Sequence, residues 1–285
     1  MNFIDISSWQ AGIDLPALFM EDSELDGVIV KLTQGTGYVN PEANGWLNWL
    51  IARGKLFGTY HYLDGSGAIA EARHYADAVK AYPGGVMAID YEDAVLAQGT
   101  DYLKACLDEV TRIIGVKPLV YCSQSVTQTQ DFREIAAAGY QLWVAQYADF
   151  NPVHGFLKDP WQKGSVAPFQ GYLMQQYTSC GHLEGYSGNL DFDKFLGTSE
   201  DWLNLAGVFA PSAPKGPDPV VISDLLHGEY GNGPERVERL TAAGYDADLV
   251  QRKINELYGI ALSCKKKIVG NEEYMNQIVW IVRQL

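Results

Sequence analysis

The sequence predicts an α/β protein, an irregular (β/α) barrel of eight strands, followed by a small all-α module of three helices. Three observations lead there. β-rich runs alternate with helical spacing from residue 3 to residue 195, the pattern of βαβ units and a mainly parallel sheet. Eight such runs suit a closed barrel better than an open doubly wound sheet. A proline-rich break then separates this region from sequence whose apolar residues recur at helical spacing only.

The first strand is "FIDIS" (3–7) and the second "GVIVKLT" (27–33), both rich in β-branched residues. Helical spacing around 42–53 leads into "LFGTYHY" (56–62), and spacing around 68–81 leads into "VMAIDYE" (86–92). A third helical stretch around 101–115 precedes "KPLVYCS" (117–123), and a fourth around 128–138 precedes "YQLWVAQY" (140–147). "GYLMQQYT" (171–178) and "NLDFDKF" (189–195) complete the eight. The connections of these last strands carry fewer helical signals, which makes the barrel irregular.

The barrel region is expected over 1–206 and a linker over 207–219. "APSAPKGPDP" (210–219) has four prolines in ten residues and cannot continue a helix or a central strand. In the module, 220–260, Val221, Leu225 and Leu226, then Val237 and Leu240, then Val250, Ile254 and Leu257 mark three amphipathic helices separated by "YGNG" and "AAGYD". Forty residues bury little, so stability should be marginal. Residues 261–285 form a helical tail whose apolar stripe, Ile278, Ile281 and Val282, needs a cover. A homodimer through that tail is one such cover. "CKKK" (264–267) reads as a solvated turn.

Net charge is −14 over 285 residues, and nine acidic against eight basic residues after 219 leave almost all of it on the barrel. That disfavours nucleic acid, which needs clustered Lys and Arg. No apolar run is long enough to span a bilayer, so no membrane anchor is expected. "MNFIDISSWQ" has no basic n-region, apolar core or cleavage site, so synthesis in a cytoplasm without a signal peptide is expected. Cys106, Cys122, Cys180 and Cys264 form no C-x-x-C pair and read as reduced thiols.

The stretch "AIDYED" (88–93) puts three carboxylates straight after an apolar run, a costly placement if they are desolvated. Residues i and i+2 of a strand share a face, so Asp90 and Glu92 point together with Tyr91 opposite. Barrel chemistry collects at the C-terminal ends of strands, where Asp5 also falls, and Asp191 lies in the last strand. Close like charges keep one carboxyl protonated, as glycosidic cleavage requires. A lone D-x-E is a weak signal, for which a strand end meeting solvent is the commoner explanation, and a hard-cation site is a third reading. No H-x-H or H-E-x-x-H spacing exists among the five histidines, so no metal and no cofactor are expected.

The motifs in order settle on one reading. "IDISSWQ", "GTYHY", "AIDYE", "LVYCS", "LWVAQY", "LMQQYT" and "LDFDKF" resemble the family 25 glycoside hydrolases, the muramidases called Chalaropsis-type lysozymes, across the first 205 residues. The resemblance implies hydrolysis of the β-1,4 bond between N-acetylmuramic acid and N-acetylglucosamine. It makes Glu92 the general acid and gives Asp90 the 2-acetamido group to orient, or a nucleophile's role. Asp5 and Asp191 take the two other acidic positions, with Asp193 the competitor for the latter. Tyr60, Tyr62, Trp143, Tyr147 and Tyr177 are the candidate rings for sugar faces, and Gln175 a candidate hydrogen-bonding partner. "GNGPERVERLTAAGYDADLVQRKIN" is similar to the short cell-wall-binding repeat of choline-independent phage lysozymes, with Tyr230 where a tryptophan is usual. Tyr230, Asn232, Arg236 and Tyr245 are its candidate contacts to the muramyl-peptide part of peptidoglycan. The expectation is an endolysin acting on the wall after holin-type release; the alternative is an inactive barrel that binds peptidoglycan as a lectin.

Overall fold

The computed structural model describes residues 1–22, 24–162, 164–208, 217–243 and 245–267. The chain divides into two compact units, Met1–Val208 and Phe209–Leu285, and each has its own apolar core.

In the first unit the elements run β1 (Asn2–Ile6), a 3₁₀ turn (Ser8–Gln10), α1 (Leu15–Glu21), β2 (Leu25–Gln34), β3 (Tyr38–Val39), α2 (Ala43–Ala52), β4 (Leu56–Tyr62), α3 (Ala68–Val79) and β5 (Val86–Asp90). A second 3₁₀ turn (Asp93–Gln98), α4 (Thr100–Ile114), β6 (Leu119–Ser123), α5 (Gln124–Thr129), α6 (Arg133–Ala137), β7 (Leu142–Ala145), β8 (Val153–His154), β9 (Met174–His182), β10 (Leu190–Phe195) and α7 (Ser199–Leu205) follow. Pairing in the order β1-β2-β4-β5-β6-β7-β9-β10 and back to β1 closes a barrel of eight strands, the eight that the sequence predicts. The last strand breaks the parallel rule. β10 runs antiparallel to both β9 and β1, so its beginning, not its end, lies at the mouth.

The single helix expected around 128–138 is two short ones. Asp131 takes the backbone N–H of Arg133 at 3.1 Å, a local bond that competes with the helical ladder, and Phe132 is buried edge-on to Tyr91. Inside the barrel Phe3, Ile29, Val86, Ala88, Leu119, Trp143, Met174 and Phe195 form one core, and a larger one lies between the strands and the helices. Helix α7, absent from the sequence expectations, plugs the end opposite the mouth. Thr198 and Asp201 cap it reciprocally, and Trp202 stacks on Phe3 at 4.1 Å while donating to the Phe57 carbonyl at 3.1 Å. Only one end of the barrel is left for chemistry.

The second unit has α8 (Pro219–Leu226), α9 (Pro234–Ala242) and α10 (Ala247–Lys267) around Val221, Ile222, Leu225, Leu240, Val250 and Ile254. Asp218 caps α8 by accepting from Val220 and Val221, both at 2.9 Å. Gly231 and Gly233 have φ of 64° and 57°, which explains "GNG" between the first two helices. Val237, expected in the core, is 53% exposed. Helix α10 runs through the expected boundary at 260, so the 264–267 run is helical rather than a turn. The tail stripe and its proposed dimer, residues 271–285, lie outside the described residues. No described helix is long and apolar enough to cross a membrane.

Candidate active site

The mouth holds a cleft of about 210 Å3 lined by Asp5, Tyr60, Asp90, Glu92, Tyr121, Trp143, Tyr147, Gln176 and Asp191. All four predicted acids converge there. Asp5 comes from the end of β1, and Asp90 is the last residue of β5. Glu92 lies two residues further, and backbone bonds beyond the strand hold this stretch extended: Leu63 N–H to the Asp90 carbonyl at 3.1 Å, Tyr91 N–H to the Tyr121 carbonyl at 2.9 Å. The i, i+2 spacing therefore delivers both acids to one face, with Tyr91 buried on the other. Asp191, the second residue of β10, lies directly opposite Asp5, a placement available only because that strand is reversed.

Burial dominates the electrostatics. It pushes Glu92 up to about 7, helped by the charges of Asp93 and Asp5. It raises Asp191 to about 8 and Asp5 to about 6, and drives Asp90 well above the carboxylate range. The cleft thus holds several protons in common at neutral pH, and they leave in steps that belong to the group. Lys31 opposes this. Its half-buried ammonium lies 4.4 Å from the Tyr62 ring centre, donates to Gln34 at 2.7 Å, and lowers Asp90 and Glu92.

Gln176 organises the floor. Its carbonyl oxygen accepts from Tyr121 at 2.8 Å and from Tyr147, and its amide donates to Asp5 Oδ2 at 2.5 Å. Two donors on one oxygen define which way the amide faces. Trp143 meets Tyr121 edge-on at 4.7 Å and donates to Asp193 at 2.8 Å. Asp193 is fully buried behind the cleft, so Asp191 is the aspartate of "LDFDKF" that reaches the mouth.

Of the six other predicted residues, Tyr60, Trp143 and Tyr147 line the cleft. Tyr62 stands outside that lining and donates to Asp93 at 2.8 Å. Gln175 and Tyr177 point away from it. Gln175 donates to the carbonyls of Gln146 and Trp161 at 3.1 and 2.9 Å, and Tyr177 accepts from Leu157 N–H at 3.1 Å. The inward parity of β9 runs through Met174 and Gln176, so the neighbouring glutamine takes the place expected of Gln175. Gln176, Tyr121 and Lys31 were not anticipated. Parity offered a signal for the first two, since Tyr121 alternates with the inward Leu119 and Gln176 with the inward Met174. Lys31 likewise stands two residues after the inward Ile29, but nothing local shows that its charge reaches the cleft carboxyls.

In the second unit, Arg236 donates to the Gly231 carbonyl at 3.0 Å, to Gln251 at 3.1 Å and to Asn232 at 2.8 Å. Tyr245 donates to Asp218 at 2.9 Å, and Tyr230 packs on the core. These four residues hold the turn and the start of α8 within the module.

A one-ended barrel whose mouth gathers buried carboxyls of raised pKa beside aromatic rings is the site of a glycoside hydrolase. The comparisons give the family. The model of the glycosyl hydrolases family 25 matches residues 4–186, and the chain belongs to that family. A CW_7 repeat matches residues 220–258. The lysozyme of Streptococcus phage Cp-7 is 27% identical over 269 residues, 90% of this chain and 69% of that protein. Among solved structures, a bacterial lysozyme from Streptomyces coelicolor aligns with a TM-score of 0.60 at 21% identity, over 74% of this chain and 98% of that one. The catalytic domain of an endolysin from a bacteriophage of Listeria monocytogenes aligns at 0.57 and 25% identity, over 73% and 97%.

Proposed function

We propose that this peptidoglycan hydrolase cleaves the β-1,4 bond between N-acetylmuramic acid and N-acetylglucosamine, with Glu92 as the proton donor to the leaving oxygen. One observation carries the reading: Glu92 stands at the cleft with its carboxyl pushed to about 7, beside Asp90, whose buried Oδ1 has no hydrogen-bond partner among the described residues. A general acid needs a pKa near the working pH, and burial supplies it. Asp90 orients the 2-acetamido group or attacks the anomeric carbon, and Asp5 and Asp191 hold the sugar and tune Glu92. Tyr60, Tyr121, Trp143 and Tyr147 offer rings for the pyranose faces.

The repeat region, 220–260, joined through 207–219, targets the barrel to the wall by binding the muramyl-peptide part of the polymer. Release from a cytoplasm depends on a holin-type helper. Mass spectrometry of products from defined peptidoglycans tests the bond assignment. Reducing-end muramic acid is expected, and reducing-end glucosamine overturns it.

A further inference from the structure

Asp193 is the fully buried carboxyl that the reaction scheme leaves unused. It shares the inward face of β10 with Asp191, level with Phe3 on β1. Its Oδ1 accepts from the indole of Trp143 at 2.8 Å. Its Oδ2 receives no N–H or O–H among the described residues. Its remaining polar neighbour is the carboxyl of Asp5, its diagonal neighbour across the β1–β10 pair on the same inward face, and each carboxyl acts on the other. The other titratable groups that act on it or feel it are Asp191 on β10, Tyr147 beyond β7 and Tyr177 on β9. No lysine, arginine or histidine among the described residues stands among those causes.

Two carboxyl groups form a hydrogen bond only when one of them holds a proton, because an ionised carboxylate only accepts. Two bare carboxylates in contact, buried and with no cation, would be prohibitively costly. Of the two, Asp5 already receives a donor from Gln176, which suits the charged form, whereas Asp193 receives only an indole N–H. We propose that Asp193 is a positioning residue that carries a proton at the pH of catalysis and donates it to Asp5, holding that carboxylate ionised and turned toward the cleft. Asp5 then accepts from both sides, from Gln176 and from Asp193. The donors run in one sense, from Tyr121 and Tyr147 through Gln176 into Asp5, and from Asp193 into the same group. Burial raises both carboxyls above the ordinary carboxylate range. The inference rests on the role proposed for Asp5.

The test uses the full chain and two substitutions. Asp193→Asn keeps a donor toward Asp5 without any titration, and Asp193→Ala removes it. With soluble glycan fragments as substrate, Asp193→Asn should stay within about threefold of the wild-type rate. Asp193→Ala should lose about tenfold or more, the scale of one hydrogen bond to a charged group, and its acid limb should move to higher pH as Asp5 becomes harder to ionise. Melting temperature against pH reads the proton without reference to activity. A carboxyl protonated in the folded state and ionised in the unfolded one makes stability fall as pH rises above the unfolded value, so the wild type should fall more steeply between pH 5 and 8 than Asp193→Asn. Equal slopes overturn the proposal. So does a loss above tenfold in Asp193→Asn at an unaltered melting temperature, or an unmoved acid limb in Asp193→Ala. If the alanine variant does not fold, the asparagine variant's rate and slope still decide. An Asp5→Asn variant at the wild-type rate would remove the role proposed for Asp5 while leaving the slope comparison valid.

Discussion

Replacing Glu92 with glutamine keeps the shape of the side chain and removes the proton it can give. The size of the effect follows from its surroundings. A carboxyl titrating at about 7 is roughly 90% protonated at pH 6, against roughly 3% for one at its ordinary 4.5. Burial therefore raises the fraction of competent acid about thirtyfold at that pH, and the substitution forfeits all of it. General acid catalysis contributes about 10²–10⁴-fold, which is the loss expected in reducing-end release from purified walls. A substrate with an activated aryl leaving group needs little protonation, so its hydrolysis should fall much less. Folding should survive. A carboxyl whose folded pKa is raised contributes stability that is lost as pH rises through that value, so Glu92→Gln should melt at or above the wild type at pH 8. A variant retaining more than about a tenth of the wall-degrading rate, or losing the activated substrate equally, would refute Glu92 as the proton donor.

The rate should be bell-shaped in pH, rising as Asp5 ionises near 6 and falling as Glu92 loses its proton near 7; a profile flat from pH 5 to 8 contradicts both assignments. Asp90→Asn should cost about as much as Glu92→Gln, with Asp5→Asn and Asp191→Asn milder; four equal rates would contradict this division of roles. Replacing Lys31 with methionine removes the cation that lowers Glu92 and Asp90, so the basic limb should move to higher pH, and an unmoved limb shows that Lys31 does not act on the acid. Cutting the chain after Val208 should leave hydrolysis of soluble fragments intact and weaken attack on whole walls severalfold, because tethering raises local concentration; an unchanged rate on walls would exclude a targeting role for the second unit.

Alternation of strand and helix signals, and the i, i+2 spacing of Asp90 and Glu92, are local properties of the chain, and they determined the eight strands, their sequence order and the acid pair. The four acidic positions were legible for the same reason, once the motifs stood in family order. What the chain could not display locally is set by distant partners. The reversal of β10 depends on pairing with both β1 and β9, and it alone turns Asp191 to the mouth and sends Asp193 beneath it. The choice of Gln176 over Gln175 is a one-residue question of parity, settled by which side chain meets Asp5 more than 170 positions away in sequence. Lys31 acts through space on carboxyls of another strand, and α7 plugs the barrel through an indole seated on Phe3. The raised pKa values belong to the fold as well, since desolvation exists only after the barrel has closed around these groups.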